Sequence, residues 1–212
     1  LTTRGLIERC VIAGNLAPNF GGGVYFYSYN AAYSPELRSS LLISNVSNSG
    51  GGIYLNNTGL VENCTLVGNV ASNGVGGFYT SLTGVVANCI IYGNLDASGT
   101  ESNVSSTAKG YFVNSCVAPL VPGDNNIDSD PFFQDASSGN YRLATNSPCR
   151  DAGTNLDWMA SATDLGGLPR IINSVVDIGA YELLPPDLDS DADGMTDQWE
   201  YDYSGGLTNI PA

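Results

Sequence analysis

GLVENCTLVGNVASNGVGGFYT (59–80) is one copy of a unit that recurs along the first half of this 212-residue chain. Earlier copies contain GLIERCVIAGN (5–15) and LRSSLLISN (37–45), and the following copy begins with GVVANCIIYGN (84–94). Aligned on the residue five before the final Asn, the copies register at steps of 30, 24 and 25 residues, on Cys10, Ser40, Cys64 and Cys89. A period in the twenties built from short β-rich runs indicates a solenoid.

The apolar positions of the repeat form columns that alternate with polar ones. One column, three residues before the Cys column, holds Ile7, Leu37, Val61 and Val86. A second, two residues after it, holds Ile12, Leu42, Leu66 and Ile91. After each Gly cluster, Val24, Ile53 and Phe78 alternate with Tyr25, Tyr54 and Tyr79. Short runs of period 2 bounded by Gly and Asn are typical of strands, and no helical period interrupts them.

Three such strands in about 25 residues make one coil of a parallel β-helix. We therefore predict an all-β fold, a right-handed single-stranded parallel β-helix of about five coils, each about 4.8 Å from the next. The Asn that ends the second strand is expected to adopt a left-handed turn conformation and to bond its equivalent in the next coil. Cys10, Cys64 and Cys89 are expected to stack inside the coils as small apolar residues, with Cys116 on the same column.

The five cysteines are expected to be free thiols. Neighbouring coils place their Cα atoms about 4.8 Å apart with parallel side-chain vectors, which is poor disulfide geometry. The chain has no His, and no Cys spacing suggests a zinc site.

We divide the chain into three parts. Residues 1–119 are coils, beginning in mid-repeat as though a longer chain had been cut. Residues 120–184 are the last coils and a C-terminal cap, since an open solenoid end exposes unpaired strand edges. Residues 185–212 are a Pro linker and an acidic loop, because consecutive prolines stop strand pairing. Within the cap, we expect Arg170 to form a structural ion-pair cluster with Asp151, Asp164 or Asp177.

The cap carries SPCRDAG (147–153), DLGGLPR (164–170) and DIGAYE (177–182). These motifs closely resemble the C-terminal part of the bacterial choice-of-anchor Q domain, and the coils are similar to polymorphic outer-membrane protein repeats. The resemblance covers nearly all of residues 1–183. It implies a right-handed parallel β-helix in a large secreted or surface-exposed bacterial protein, with no settled activity. Arg150 departs from the family pattern, which commonly has an aliphatic residue there.

The net charge of −14 is concentrated toward the C-terminus, where residues 187–212 hold seven acids and no base. A basic nucleic-acid footprint is absent from the sequence, so we expect no nucleic-acid partner. No run of 18 uninterrupted apolar residues exists, so we expect no membrane span. Acid concentrated at one end suggests bound cations.

DSDADGMTDQWE (189–200) fits the twelve-residue EF-hand loop at every diagnostic position. Gly194 stands where the loop must turn sharply, and the expected ligands of a Ca²⁺ ion are Asp189, Asp191, Asp193, Met195 through its carbonyl, Asp197 and Glu200. The loop resembles those of bacterial thrombospondin type 3-like and dockerin-like repeats. We expect weak binding, with a Kd of roughly 10⁻⁴–10⁻³ M. The alternative is a solvated acidic tail.

A second candidate site is the row of Tyr25, Tyr54 and Tyr79, which strand alternation sends outward on one face. Aromatic rows can bind sugar rings, so a cell-surface or matrix polysaccharide is a candidate partner. The alternative, which we favour, is a self-stacking ladder that stiffens the solenoid.

Catalysis is the third candidate, because many β-helices cleave polysaccharides, but fold analogy alone does not assign an activity. A hydrolase needs two carboxylates facing a cleft at about 5–10 Å. In the coils, Glu8 and Glu62 share a column two coils apart, and Arg38 lies between them, so we expect ion pairing across coils. We assign no catalytic residue. The function we predict is a monomeric, calcium-stiffened stalk or adhesion module, and the alternative is a polysaccharide-binding or polysaccharide-degrading β-helix.

Overall fold

The chain folds into a parallel β-solenoid, as the repeat predicts. The structure is a computed structural model, and it describes residues 5–28, 34–81, 83–105, 111–188, 194–197 and 199. Sheet 1 contains, in spatial order, the strands Leu6–Glu8, Glu36–Arg38, Gly59–Glu62, Gly84–Ala87 and Tyr111–Val113. Sheet 2 contains Val11–Ala13, Leu41–Ile43, Thr65–Val67, Ile90–Tyr92 and Cys116–Val117. Sheet 3 contains Val24–Tyr27, Ile53–Asn56 and Phe78–Thr80.

Smaller elements complete the described secondary structure. Val46–Ser47 pairs in parallel with Val70–Ala71. Phe133–Asp135 and Asn140–Leu143 form an antiparallel pair. Two short 3-10 helices span Ala136–Ser138 and Asp157–Ser161. In the described part of the chain, no helix is long and apolar enough to cross a membrane.

Three coils carry all three strands, fewer than the five predicted. The fourth and fifth coils contribute strands to sheets 1 and 2 only. The Gly pair that begins the third strand is missing after Asn94, where the sequence becomes polar. The Gly pair is needed because neighbouring coils approach each other closely where the third strand begins. A Cβ added to Gly51 would lie 2.4 Å from the carbonyl oxygen of Val70 in the next coil.

The predicted apolar columns all point into the solenoid. Leu37, Val61 and Val86 from sheet 1 meet Leu42, Leu66 and Ile91 from sheet 2, and each of these six side chains is fully buried. Ile53 and Phe78 of sheet 3 complete the same core. The strands of sheet 3 bury alternate residues, as period-2 patterning requires. From the second coil onward, each strand of sheet 2 buries two consecutive residues, because its outward face is covered as well.

The predicted Asn ladder is present, but its conformation differs from the prediction. Asn45 donates from Nδ2 to Oδ1 of Asn69 at 2.9 Å, and Asn69 bonds Asn94 in the same way at 2.8 Å. The left-handed residue is the preceding one, for example Gly68 with φ +65°. Since Gly68 makes the turn without steric cost, the Asn backbone need not do so, and its amide can span the coils.

A second column of left-handed residues, at Asn63, Asn88 and Asn114, was not predicted. Their side chains bond the backbone of a C-terminal segment, residues 147–184. Asn88 Nδ2 donates to the Thr154 carbonyl at 2.9 Å, and Asn88 Oδ1 accepts from Thr154 N–H at 2.8 Å. Asn63 and Asn114 bond carbonyls of Asp177 and Ala152.

The C-terminal segment runs along the side of the coils. Ala152 contacts Asn114 in the fifth coil, and Thr163 accepts a hydrogen bond from Arg9 in the first, at 2.7 Å. Part of the segment covers the outward face of sheet 2. There Ile90 and Cys116 pack with Leu143, Cys149, Ile178 and Leu183 in a second core.

Cys116 does not lie on the Cys column, contrary to the prediction. It pairs with Ile90, and Ser115 occupies the column position after Cys89. The hydroxyl of Ser115 accepts from the Cys89 N–H at 3.1 Å, much as Cys89 Sγ accepts from the Cys64 N–H at 3.4 Å. Cys116 therefore points away from the main core and into the second one.

Candidate functional site

The three predicted tyrosines form one outward row on sheet 3. Tyr25, Tyr54 and Tyr79 are in register on neighbouring strands. The rings of Tyr54 and Tyr79 are stacked, with centroids 4.5 Å apart and planes 22° apart. Tyr25 meets Tyr54 edge-on at 5.5 Å. Partial burial raises the pKa of Tyr54, and the adjacent Tyr79 phenol adds to that shift.

The row continues into two residues that were not predicted to belong to it. Phe20 lies 4.4 Å from Tyr54 between ring centroids, and Tyr27 lies 5.9 Å from Tyr25. The alternation in VYFY (24–27) was a sufficient signal for Tyr27, because residues two apart in a strand share a face. Phe20 lies before the Gly cluster, where no strand was predicted.

The ring arrangement limits what the row can bind. The faces of Tyr54 and Tyr79 cover each other, which is the geometry of a self-stacking ladder. The N-terminal end of the row is more open, because Phe20, Tyr25 and Tyr27 are each 42–49% exposed. Any sugar that stacks on this face would meet those three rings first.

Two carboxylates of sheet 1, those of Glu36 and Glu62, are engaged in ion pairs. Arg38 contacts Glu62 at 3.1 Å, as predicted from the column. Its second carboxylate is that of Glu36 at 2.7 Å, where the column predicted Glu8. Trp158 of the C-terminal segment covers Arg38, whose guanidinium carbon lies 4.7 Å from the ring centroid. Burial raises the pKa of Glu62, and Arg38 opposes that shift.

This cluster lacks the free acid and base of a hydrolase. Both carboxylates share one guanidinium, both residues are less than 10% exposed, and an indole ring closes the site. The cluster fixes the 3-10 helix at Asp157–Ser161 against sheet 1.

The motif residues of the C-terminal segment hold it to the coils. Arg170 is fully buried, and its guanidinium pairs with Glu182 at 2.7 Å instead of the three predicted aspartates. It also donates to the carbonyls of Asp177, Gly179 and Ala180 at 3.0–3.2 Å. Burial raises the pKa of Glu182, and the charge of Arg170 opposes that shift.

Two of the three aspartates predicted to pair with Arg170 cap backbone groups instead, and the third, Asp151, contacts Arg150 at 3.4 Å. The Asp177 carboxylate accepts from the N–H groups of Asp151 and Leu183, both at 2.7 Å. The Asp164 carboxylate accepts from Leu168 and Glu182, both at 2.8 Å. Burial raises the pKa of Asp177 to about 6. These carboxylates are structural caps, which the sequence spacing alone could not separate from ion-pair partners.

The predicted calcium ligands Asp189, Asp191, Asp193 and Glu200 lie outside the described residues. Of the remaining two, Met195 is 39% exposed, and Asp197 is buried with its N–H bonded to the Leu188 carbonyl at 2.7 Å. Gly194, at the predicted turn, has φ +93°. Within the residues that the structure describes, no group of three or more acidic, Cys or His side chains could hold a metal ion.

Comparison with protein-family models, with curated proteins and with solved structures found no match to this chain.

Proposed function

We propose that this chain is a non-catalytic β-solenoid module of a secreted or surface-exposed bacterial protein, acting as a calcium-stiffened stalk or adhesion domain. One observation carries the proposal: the side chains that could have served a ligand are bonded to one another across the coils. Asn45, Asn69 and Asn94 bond their equivalents, Tyr54 and Tyr79 stack, and Arg38 binds two carboxylates. Such contacts stiffen the stack of coils, and they leave few of these side chains to bind or transform a ligand.

The bacterial surface location rests on the choice-of-anchor Q resemblance. The buried positions of Cys149, Arg170, Asp177, Gly179 and Glu182 give the three motifs a shared structural task. That task is docking of the C-terminal segment on the solenoid. A motif selected for docking is expected to recur wherever such a segment recurs, whatever the activity of the whole protein.

The calcium part of the proposal is tested by titration calorimetry with CaCl₂. We expect the intact chain to bind one ion with a Kd of roughly 10⁻⁴–10⁻³ M. The double variant Asp189→Ala, Glu200→Ala should give no binding heat, while Asp187→Ala, which lies outside the twelve-residue loop, should bind normally. Equal heats from the intact chain and the double variant would refute the calcium site.

The non-catalytic part is tested with a panel of neutral and uronate polysaccharides. We expect neither reducing-sugar release nor unsaturated products from any of them. Turnover that the Glu62→Gln variant abolishes, with the fold retained by circular dichroism, would replace the proposal with an enzyme.

Polysaccharide binding without turnover is the second candidate, and the exposed rings at the end of the aromatic row favour it. A sugar-binding row would lose glycan-array signal in Tyr25→Ala and Tyr54→Ala. Tyr111→Ala is a matched control, because Tyr111 is 51% exposed on sheet 1, away from the row. If all three variants bind glycans as well as the intact chain does, or if none of the four proteins binds, the row is a stiffening ladder and not a sugar site.

A further inference from the structure

The Asn ladder has a direction, because each Asn takes its donors from the coil before it. Oδ1 of Asn45 accepts from the N–H of Asn15 at 3.1 Å and from Nδ2 of Asn15 at 2.9 Å. Oδ1 of Asn69 accepts from the same two groups of Asn45, and Oδ1 of Asn94 accepts from those of Asn69. Each Asn side chain inside the stack therefore satisfies its oxygen with two donors of one neighbouring residue.

The same side chains also donate back to the preceding coil. Nδ2 of Asn45 donates to the carbonyl of Ile12 at 2.8 Å, and Ile12 lies three residues before Asn15. Nδ2 of Asn69 donates to the carbonyl of Leu42 at 3.0 Å, and Leu42 lies three residues before Asn45. The residue before each Asn is a Gly or Ser with positive φ. One ladder Asn therefore contacts a parallel strand of the pattern aliphatic–x–Gly or Ser–Asn.

The ladder is closed at one end and open at the other. At the closed end, Oδ1 of Asn103 accepts from the N–H and Nδ2 of Asn94 at 3.0 and 2.9 Å. Nδ2 of Asn103 then donates to the carbonyl of Ala118 at 2.6 Å. At the open end, no group among the described residues donates to Oδ1 of Asn15. Asn15 is exposed, whereas the later Asn residues of the ladder are buried.

Apolar side chains surround the open end of the ladder. Val11–Ala13 is an edge strand of sheet 2, and Val11 is 57% exposed. Leu16, which follows Asn15, is 79% exposed. Ile12 points into the core but is only half-buried, whereas its equivalent Leu42 in the next coil is fully buried. A strand edge with free backbone groups and exposed apolar side chains can pair with an added strand.

We propose that the edge formed by residues 11–15 binds an extended segment of another polypeptide as an added parallel strand of the pattern aliphatic–x–Gly or Ser–Asn. The Asn of the partner donates its N–H and Nδ2 to Oδ1 of Asn15. The carbonyl three residues earlier in the partner accepts from Nδ2 of Asn15. A second copy of this chain does not fit, because Asn103 closes its opposite end. Two first-coil edges brought together would also place Oδ1 acceptors against each other.

The test is fluorescence anisotropy with a labelled peptide that copies residues 60–71 and carries Cys64→Ser to prevent oxidation. The intact chain should bind this peptide with a Kd below about 1 mM. Asn69→Ala in the peptide removes one of the two donors to Asn15 and should weaken binding roughly five- to tenfold. A peptide with the reversed sequence should not bind. These peptide changes leave the folded protein untouched, and binding requires neither calcium nor turnover, so it is independent of the stalk or adhesion role.

A change on the protein side locates the binding edge. Asn15→Ala should weaken peptide binding roughly tenfold or more, while Asn73→Ala, at an exposed position in the third coil, should bind normally. Circular dichroism checks that both variants fold. No saturable binding at about 1 mM, or equal affinity for the intended, Asn69→Ala and reversed peptides, would overturn the proposal. Sedimentation velocity that shows a dimer lost in Asn15→Ala would also overturn it, because the edge would then bind a second copy.

Discussion

Replacing Arg170 with Met should destabilise the fold by about 3–5 kcal/mol at pH 7.5. Arg170 is fully buried, pairs with Glu182 at 2.7 Å and donates to three carbonyls. Met fills a similar volume, so the loss is mainly electrostatic. Removing one member of a buried pair leaves the other charge uncompensated, and this loss typically costs about 3–5 kcal/mol.

The pH dependence of this cost is the sharper part of the prediction. Without Arg170, the buried Glu182 carboxylate loses a positive charge that opposes the burial-driven rise of its pKa. Glu182 can then respond by taking up a proton, which is easier in acid. The destabilisation of Arg170→Met should therefore be larger at pH 8 than at pH 5. Adding Glu182→Gln should recover part of the loss at pH 8 and little at pH 5.

The assay is urea unfolding followed by circular dichroism at both pH values, with Arg150→Met as the matched control. The Arg150 side chain is 28% exposed and contacts Asp151 at 3.4 Å. A partly exposed pair of this kind contributes at most about 1 kcal/mol. The reasoning fails if Arg170→Met costs no more than Arg150→Met, or if its cost is the same at both pH values.

Three further outcomes are expected. Burial raises the pKa of Asp177 to about 6, above its value in the unfolded chain, so the folded state binds this proton more tightly. Thermal melts should therefore show stability rising as the pH falls from about 6 to 4. The rise should be smaller in Asp177→Asn, which has no such proton to bind. Asn69→Ala should lower the free energy of unfolding by about 2–3 kcal/mol through broken buried hydrogen bonds, and exposed Asn73→Ala by under about 0.5 kcal/mol, both from urea titrations. Gly179→Ala should lower Tm more than Gly139→Ala. Both have positive φ, but only at Gly179 does an added Cβ meet other atoms, the nearest at 2.8 Å; equal losses would contradict a packing role.

The repeat was predictable because its signal is local and redundant. Four aligned copies show which residues alternate, and alternation decides which side chains enter the core. Leu66 and Ile91 could therefore be assigned to the interior from sequence. The Asn ladder was predictable for the same reason, since equal positions on stacked coils are neighbours.

The path of the C-terminal segment could not be predicted, because its contacts join residues far apart in the chain. Asn88 bonds Thr154 across 66 positions. Arg170 pairs with Glu182, although two of the predicted aspartates are nearer to it in the sequence. Which carboxylate pairs with a buried arginine depends on how deeply each group is buried and on where its side chain points, and sequence spacing does not encode either. Cys116 was predicted at the column position that Ser115 occupies. Spacing did not separate these two neighbours, because the Ser115 hydroxyl accepts from the Cys89 N–H as well as a Cys sulfur does.

The lateral attachment of the C-terminal segment fixes the number of coils that the solenoid can contain. The segment is hydrogen-bonded to Asn114, Asn88, Asn63 and Arg9, which lie in the fifth, fourth, third and first coils. Open solenoids can gain or lose a coil with little penalty, since each coil contacts only its neighbours. Here an inserted coil would displace every tie beyond it by about 4.8 Å, more than a hydrogen bond can span. Duplication or deletion of one repeat between residues 36 and 83 would therefore need a matching change in residues 147–184.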